Sequence, residues 1–449
     1  MNKKFVIIGG DAAGMSAASK IRRIQTDAEL IVFEKGQHIS FAACGIPYWI
    51  SDVVEDGNKL EVLTAEVARN KRNIDVRLAH EVTRIDASRK FVSVHNHETD
   101  EQFDESYDVL LIATGASAII PPIPGIDNPG VFSLRSLPDG RKIKTFLESN
   151  NVTHATIIGG GYIGLEMAES FRHRNIAVTI VEMADQLAAT FDKDILENVT
   201  EHIIEKGVDL RLNTRVVSIE SSQNGLEIIT SEELIHTDLV LISTGVRPNS
   251  KLAEDAGITL GVRGAIGIDE HMETSIAGIF AAGDCAAHKH LVLNTDVWIP
   301  LAPTANRGGR IAGENMAGMA SRFRGILGTA AIKVFDFTIA QTGLTELQAN
   351  QSRLFGEIET STITAGSRAH YYPGSTQVTI KLVVEKLSKR LLGAQMVGRA
   401  DIAKRLDVLA TAITAKMTVE DIAMLDLSYA PPIAPVYDPI HIAANVANK

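Results

Sequence analysis

Cysteine is the scarcest candidate for chemistry in this chain, whose 449 residues include two, Cys44 and Cys285. So few exclude a disulfide framework and fit a reducing compartment. They also exclude a CxxC or CxxxxC redox pair, because the position five residues after Cys44 is Trp49. Thiol chemistry here must use one protein sulfur and a sulfur or oxygen from elsewhere. Cys44 lies in Ser40-Phe41-Ala42-Ala43-Cys44-Gly45-Ile46-Pro47-Tyr48-Trp49, where Gly45 and Pro47 predict a turn into a helix. A thiol at such an N-terminus is expected to have its thiolate stabilised by the helix dipole, so its pKa should fall and it should be nucleophilic near neutral pH. Cys285 follows Gly283-Asp284 and reads as structural.

Two glycine turns suggest where electrons come from. Val6-Ile7-Ile8-Gly9-Gly10-Asp11-Ala12-Ala13-Gly14 places a turn between a buried strand and a helix, so that backbone N–H groups and the helix start face a pyrophosphate. Glu34, 20 residues beyond Gly14, is placed to bond a ribose hydroxyl. Asp11 stands where GxGxxG has its middle glycine, and its side chain is expected to crowd the pyrophosphate. The second turn, Gly159-Gly160-Gly161-Tyr162-Ile163-Gly164, meets the pattern fully, and Glu182 closes the following strand. An acid there bonds both ribose hydroxyls of NADH and repels a 2′-phosphate. Met183 and Ala184 bring no positive charge, so NADH is favoured and NADPH stays possible.

These turns belong to a repeated unit. Strand, glycine turn and helix occur over Phe5–Arg22 and again over Ala155–Arg172, each followed by a strand ending in an acid, Leu30–Glu34 and Ala177–Glu182. Each unit ends in an apolar strand and a Thr-Gly turn, Val109–Gly115 and Leu239–Gly245. A strand at Gly278–Ala282 runs into Gly283-Asp284, and a helical stretch, Asn306–Met319, follows. From about Gly325 the pattern changes to strands at Ile332–Thr338, Val378–Glu385 and Leu391–Val397, then an amphipathic helix near Asp401–Lys416. Tyr429–Pro439 is proline-rich and reads as extended. Length alone suggests roughly three domains. Hydrophobic residues at 45% and charged residues at 22% are ordinary for a globular protein. A net charge of −11 argues against a nucleic-acid surface. No apolar run approaches the ~20 residues of a membrane span, and Met1–Gly10 lacks the features of a signal peptide. A cytoplasmic protein is the expectation.

Two nucleotide motifs with one Gly-Asp segment, Gly278-Ile279-Phe280-Ala281-Ala282-Gly283-Asp284, resemble the pyridine nucleotide–disulfide oxidoreductase family, and the resemblance covers the whole chain. It implies an α/β fold with two Rossmann-like dinucleotide-binding domains and a C-terminal α+β dimerisation domain. The FAD domain would be discontinuous, 1–116 and 246–324, with an NAD domain at 117–245 and dimerisation through 325–449. The implied FAD residues are Gly9, Asp11, Ala12, Ala13, Gly14, Glu34, Lys35, Val82, Ala113, Thr114, Gly115, Gly283, Asp284, Leu301, Ala302 and Thr304. Asp284 would hold the ribityl chain. For NAD they are Gly159, Gly161, Tyr162, Ile163, Gly164, Glu182 and Gly245. The family places its redox cysteine beside the flavin at the position of Cys44.

Without a second cysteine, the single-cysteine branch remains: coenzyme A-disulfide and coenzyme A-persulfide reductases, NADH oxidases and NADH peroxidases. Oxidase and peroxidase members carry a histidine in the first glycine turn where this chain has Ala12. The stretch around Cys44 is more similar to the coenzyme A-disulfide reductases. That group uses two tyrosines of the partner subunit, matched by Tyr371 in Tyr-Tyr-Pro-Gly and Tyr429 in Tyr-Ala-Pro-Pro, as donors to a departing thiolate. Its coenzyme A groove matches Ser16, Lys20, Arg23, Ser40, Ala43, Lys71 and Arg72, with Asn306 from the partner subunit. Lys20 and Arg23 lie on one helix face. The resemblance implies a homodimer in which Cys44 cycles between a mixed disulfide with coenzyme A and a free thiolate, fed by NADH through FAD. The chain ends soon after Tyr429 with no sulfurtransferase domain, which weighs against a persulfide substrate. The alternatives are an oxidase cycling Cys44 through a sulfenic acid and a redox-sensing flavoprotein.

Overall fold

The computed structural model describes residues 3–449. Lys4–Ile8, buried from Phe5 onward, pairs in parallel with Glu29–Phe33 on one side and Val109–Ile112 on the other. Asp75–Arg77 and Ile279–Ala281 complete a five-stranded parallel sheet. Its order reverses at Lys4–Ile8, and open α/β sheets bind ligands beyond the carboxyl ends of their strands at such a point. A second five-stranded parallel sheet repeats the arrangement around His154–Ile158, flanked by Ala177–Val181 and Leu239–Ile242, with Val208–Arg211 and Val131–Ser133 outside. Strands such as Leu239–Ile242 are apolar and buried at every position because both faces of a parallel sheet are covered.

The duplication extends beyond the glycine turns. Each fold inserts a three-stranded antiparallel sheet before its returning strand, running from His80–Asp86 to Glu101–Ser106 in the first and from Val216–Ser222 to Leu234–Thr237 in the second. The sequence reading has no counterpart for these sheets. The edge strand Glu101–Ser106 is short and polar with no buried position.

The C-terminal residues form a five-stranded antiparallel sheet in the order Ala330–Val334, Phe337–Gly343, Leu391–Gly398, Gln377–Glu385, Ile358–Gly366. Leu391–Gly398 is buried throughout. Helix Ile402–Thr414 packs on it, and Pro439–Ala447 packs on the two strands farther along. Two expectations are corrected here. The strand foreseen over Ile332–Thr338 is two strands of a hairpin, turned at Phe335 with φ of 53°. The foreseen extended stretch, Tyr429–Pro439, closes a turn between Ala430 and Ala434 and enters a helix at Pro439.

A buried lysine ties the C-terminal sheet to the second nucleotide fold. Lys381 is 3% exposed, and its Nζ lies 2.8 Å from Asp194, 2.9 Å from Glu346 and 3.3 Å from Asp192. Gln395 and Asp192 bond each other twice, the Asp192 N–H donating to Gln395 Oε1 at 2.8 Å. Burial pushes the ammonium down, but hydrogen bonds and charge from the carboxylates outweigh it and raise its pKa. Removing one member of a buried ion pair costs about 3–5 kcal/mol because the other charge is left uncompensated. Asp194 and Glu346 are half-exposed and regain water, so the cost lies near the lower end. Lys381→Met is therefore expected to lower the thermal midpoint by several degrees in a denaturation scan of the holoenzyme. An unchanged midpoint would remove this contact as a determinant of stability.

Candidate active site

Each glycine turn is fastened to the acid that ends the next strand. Glu34 Oε2 accepts the Gly10 N–H at 2.8 Å and Oε1 accepts the Gly36 N–H at 2.7 Å. Glu182 repeats this, with Gly160 at 2.7 Å and Ala184 at 2.8 Å. Both carboxylates are thus oriented at the sheet edge before a ribose arrives. Gly9 has φ of 102°, and a Cβ on it would lie 2.2 Å from the Ala113 carbonyl oxygen; one on Gly14 would lie 1.9 Å from the Gly9 oxygen. In the second turn the corresponding distances are 2.5 Å from Gly159 to Ser243 and 2.1 Å from Gly164 to Gly159. Only glycine permits helix and strand to approach this closely. At Gly161 a Cβ meets nothing within 4 Å, so the turn is open on its outer side. Helices Ala12–Ile24 and Tyr162–His173 start without a side-chain cap, leaving N–H groups for an anion. Ala12 and Ala13 open the first helix, Tyr162 and Ile163 the second. Both cradles fit a dinucleotide pyrophosphate.

Asp11 is tied to the segment that leads to Cys44. Its Oδ1 accepts the Phe41 N–H at 3.3 Å and makes no cap bond on the helix behind it. Burial raises its carboxyl to about 6, against the Phe41 bond and with help from the Glu34 charge. Around the same sheet edge, Gly283 turns with φ of 88° into Asp284, which pairs with Arg135. The Thr114 hydroxyl donates to Asn249 O at 2.6 Å, while Gly115 turns with φ of 69° and has nothing within 4 Å of a Cβ position. Leu301 caps helix Ala302–Met316, which places Ala302 and buried Thr304 in its first turn. Val82 lies in the apolar cluster of Val6, Ile8 and Phe33. Lys35 is exposed beyond Glu34, and Gly245 turns with φ of 108° at the second sheet edge.

Cys44 occupies a single tight turn, Ala43–Gly45, ahead of the five-residue helix Ile46–Ile50. That helix follows the first glycine turn in sequence but is docked on the second nucleotide fold. Ile46, Trp49 and Ile50 are buried in one cluster with Leu137, Leu165 and Phe171. Gly140 lets Ile46 in, since a Cβ on it would meet Ile46 Cγ2 at 2.5 Å. The Ser170 hydroxyl donates to Pro47 O at 2.9 Å, and Arg174 donates to Ile50 O at 3.1 Å. Asp52 pairs with both Lys144 and Arg174. The thiol is left exposed between the folds, and Cys285 is buried.

The expected fall in the Cys44 pKa does not occur. Although the residue as a whole is exposed, the sulfur is partly withdrawn from water, and this is the largest influence, with Glu166 the next; both push the thiol up, and Arg135 only partly offsets them. Five residues carry a weak dipole, and Cys44 stands in the turn before them. Sequence reasoning missed Glu166 and Arg135. Glu166 sits four residues after Tyr162 and one turn before Glu169, and burial together with the Glu169 charge raises its carboxyl to about 7. An acid on a packed helix face was the available signal. Arg135 offers none, because its bonds to Ala116 O and Asp284 are long-range.

The residues matched to a coenzyme A groove are partly brought together. The Ser16 hydroxyl donates to Asn306 Oδ1 at 2.8 Å within the same chain. This corrects the expectation that Asn306 reaches Ser16 from a partner subunit. The cause is glycine: a Cβ on Gly309 would lie 2.2 Å from Ala13 O and one on Gly313 2.6 Å from Ala17 O, so the two helices touch along their backbones. Lys20 is less available than expected, since its Nζ pairs with buried Glu314 at 2.9 Å. Arg23 and Lys71 are exposed, and Arg72 bonds Ser19 at 3.4 Å, which sets the end of helix Ala65–Arg72 beside the first helix. Ser40, with φ of 45°, donates its N–H to Gly10 O at 2.9 Å and stands with Ala43 ahead of the thiol. Tyr371 stands close to Tyr429, and its influence raises the Tyr429 phenol. They share a cleft of about 390 Å³ with Arg368, His370 and Tyr437. Among the described residues no bond joins either tyrosine to Cys44 within the chain.

No helix of the described residues is long and apolar enough to cross a membrane. Residues 3–309 match the family described as pyridine nucleotide-disulphide oxidoreductase, and residues 329–439 match its dimerisation domain. The chain is 42% identical to an NAD(P)H sulfur oxidoreductase (CoA-dependent) of Pyrococcus furiosus, over 99% of both chains. It is 35% identical to an NADH oxidase of Methanocaldococcus jannaschii, over 99% of both, and 33% identical to a coenzyme A disulfide reductase of Staphylococcus aureus, over 98% of both. A solved NAD-dependent persulfide reductase from A. fulgidus superposes with a TM-score of 0.96 at 41% identity, covering 100% of this chain and 83% of that one. With two dinucleotide cradles, a Gly-Asp turn and an antiparallel C-terminal sheet in that order, the chain belongs to the pyridine nucleotide-disulphide oxidoreductase family of enzymes, whose chemistry uses FAD and NAD(P)H.

Proposed function

We propose that this enzyme uses NADH to reduce coenzyme A disulfide, or a coenzyme A-bound persulfide, through Cys44 as its one working sulfur. The observation that carries the reading is an exposed thiol held between two dinucleotide cradles by a helix docked on the second of them. The first cradle, with Gly9, Gly14, Glu34, Gly115 and Asp284, would hold FAD. Bound FAD supplies a two-electron carrier between the nicotinamide and the sulfur. Glu182 at the second cradle selects NADH, because Met183 beside it is 70% exposed and uncharged. The nearest strand-end cation, Arg211, is already paired with Asp209 and Glu233.

The sulfur steps balance with two electrons and two protons per turnover. Two electrons split a Cys44–S–S–coenzyme A bond; the coenzyme A sulfur takes one proton and leaves as a thiol, and Cys44 remains as the thiolate. The thiolate then attacks a coenzyme A disulfide, forms the mixed disulfide again and expels a second coenzyme A sulfur, which takes the other proton. Tyr371 and Tyr429 of a second subunit are the proton donors to that leaving group. Arg23, Lys71 and Arg72 beside Ser16 and Asn306 give the anionic coenzyme its cationic contacts. Homodimerisation through the C-terminal domain is part of this reading. An NADH oxidase among the relatives makes O2 the competing acceptor. Ala12, where oxidases of the family carry histidine, favours the disulfide.

Cys44→Ser is expected to bind FAD and accept electrons from NADH, yet lose coenzyme A disulfide reduction by roughly a thousandfold or more. Full turnover in that variant would end the proposal. The mass of the intact wild-type chain should also drop by one coenzyme A on treatment with dithiothreitol. A second variant tests the electrostatics of the sulfur. Glu166 is ionised above about pH 7, so in the range where the thiol titrates it is an anion opposing the thiolate. Glu166→Gln removes that charge, and the pH profile of iodoacetamide alkylation at Cys44 should move to lower pH. A profile unmoved or shifted upward would show that Glu166 does not act on the sulfur.

A further inference from the structure

Arg405, on helix Ile402–Thr414, is 7% exposed, and its guanidinium lies between two segments distant in sequence. Its Nε donates to Asp438 Oδ2 at 3.0 Å and its Nη2 donates to Ser367 O at 2.7 Å. Ser367 opens the loop between strands Ile358–Gly366 and Gln377–Glu385, and that loop carries Tyr371. Asp438 closes the irregular segment that begins near Tyr429, and its Oδ1 accepts the Ile440 N–H at 3.0 Å to cap the last helix. The two segments form opposite parts of one cleft, Arg368 and Tyr371 from the first, Tyr429 and Tyr437 from the second.

Both acceptors are themselves fixed. The Ser367 N–H donates to Thr376 O at 2.7 Å and the Thr376 N–H returns to Ser367 Oγ at 3.0 Å, closing the base of the loop. Within one chain packing holds the phenols only in part, since Tyr371 is 65% and Tyr429 48% exposed and Tyr371 leans on the His370 ring. Their mutual position therefore depends on how the two segments are anchored beneath them. A buried charged pair is a costly anchor if stability is all it provides, because well-packed apolar residues do as well or better. What it does provide is direction: the planar fork of an arginine meets a carbonyl and a carboxylate in fixed geometry, which a lysine does not reproduce.

We infer that Arg405 is a positioning residue for the tyrosine pair, its buried guanidinium locking the Ser367 and Asp438 segments in the register that brings Tyr371 and Tyr429 together. The inference rests on the reading above, in which these phenols serve the leaving thiolate, but part of its test is independent of turnover.

The test uses the FAD-loaded enzyme and the variants Arg405→Met, Arg405→Lys, Tyr429→Phe and the double variant Arg405→Met with Tyr429→Phe. Arg405→Met should leave NADH-driven flavin reduction and the NADH KM unchanged while kcat with coenzyme A disulfide falls about tenfold. Arg405→Lys should rescue little of that loss, and the double variant should be no slower than Tyr429→Phe alone. Wild-type turnover in Arg405→Met, or losses that multiply in the double variant, would overturn the inference. The independent readout is ultraviolet titration of phenols, with Tyr429 isolated by difference against Tyr429→Phe. Its ionisation should return toward that of an ordinary tyrosine in Arg405→Met, and an unchanged titration would overturn the clamp even if turnover had fallen. Loss of nothing in Tyr429→Phe would remove the catalytic reading of the tyrosines and leave the titration to decide the clamp. Should Arg405→Met fail to fold, Asp438→Asn, which keeps the helix cap, takes its place in both measurements.

Discussion

The site depends on one docking event, the burial of Ile46, Trp49 and Ile50 in the core of a nucleotide fold to which their own sequence neighbours do not belong. Without it, Cys44 would sit on a loop at the edge of the first sheet. With it, the sulfur is held where groups of both folds act on it. Burial of three large apolar side chains stabilises the contact by several kcal/mol, at about 1.5–3 kcal/mol each. The polar bonds from Ser170 and Arg174 fix its register. Glycine at position 140 is part of the same contact, since any side chain there would collide with Ile46.

That placement also explains why the thiol is pushed up when a helix start would be expected to push it down. Bringing Cys44 to the junction withdraws its sulfur from water, the largest influence, and sets it within the fields of Glu166 and Asp284, while Arg135 is shared with Asp284. The chain alone thus favours forms of the sulfur that carry no charge, a thiol or a mixed disulfide. A thiolate of higher pKa is also the more nucleophilic one when it forms, and the poorer leaving group. In the proposed cycle the second trait suits a sulfur that is not itself to be expelled, while the first counts only for the fraction ionised at a given pH.

How much of this was legible in the sequence follows from the range of each interaction. Glycine turns are local, so Gly9, Gly14, Gly159 and Gly164, with the acids Glu34 and Glu182, could be read from spacing alone. The internal duplication was visible at the same range. Contacts that join distant residues were not: Arg405 to Ser367 and Asp438, Lys381 to Asp192, and Ser16 to Asn306 within one chain. The last was read as an intersubunit contact because nothing in the local pattern reveals that Gly309 and Gly313 let two helices touch. The expected fall of the Cys44 pKa fails for the same reason: a dipole is read from a short segment, whereas the burial of the sulfur and the charge of Glu166 come from elsewhere.

The two copies of the glycine turn differ in a way that suits the two cofactors the family uses. The first is tied down beyond its own acid: Asp11 bonds Phe41, and Ser40 bonds Gly10, so the turn and the segment leading to Cys44 are one piece. The second has glycine where the first has Asp11, and nothing stands near a Cβ at Gly161. Its first helical side chain, Tyr162, is held at its hydroxyl by Thr190 at 3.1 Å and by Gln341 of the C-terminal sheet at 2.9 Å. A turn fused to the cysteine segment suits a carrier that stays bound through every turnover, because losing it would disturb the thiol's own support. A turn with an open outer side suits a nucleotide that must leave after giving up its electrons. The departure of Asp11 from the glycine pattern, which looked like a defect in a dinucleotide motif, is on this view the bond that joins the resident cofactor's cradle to the sulfur it serves.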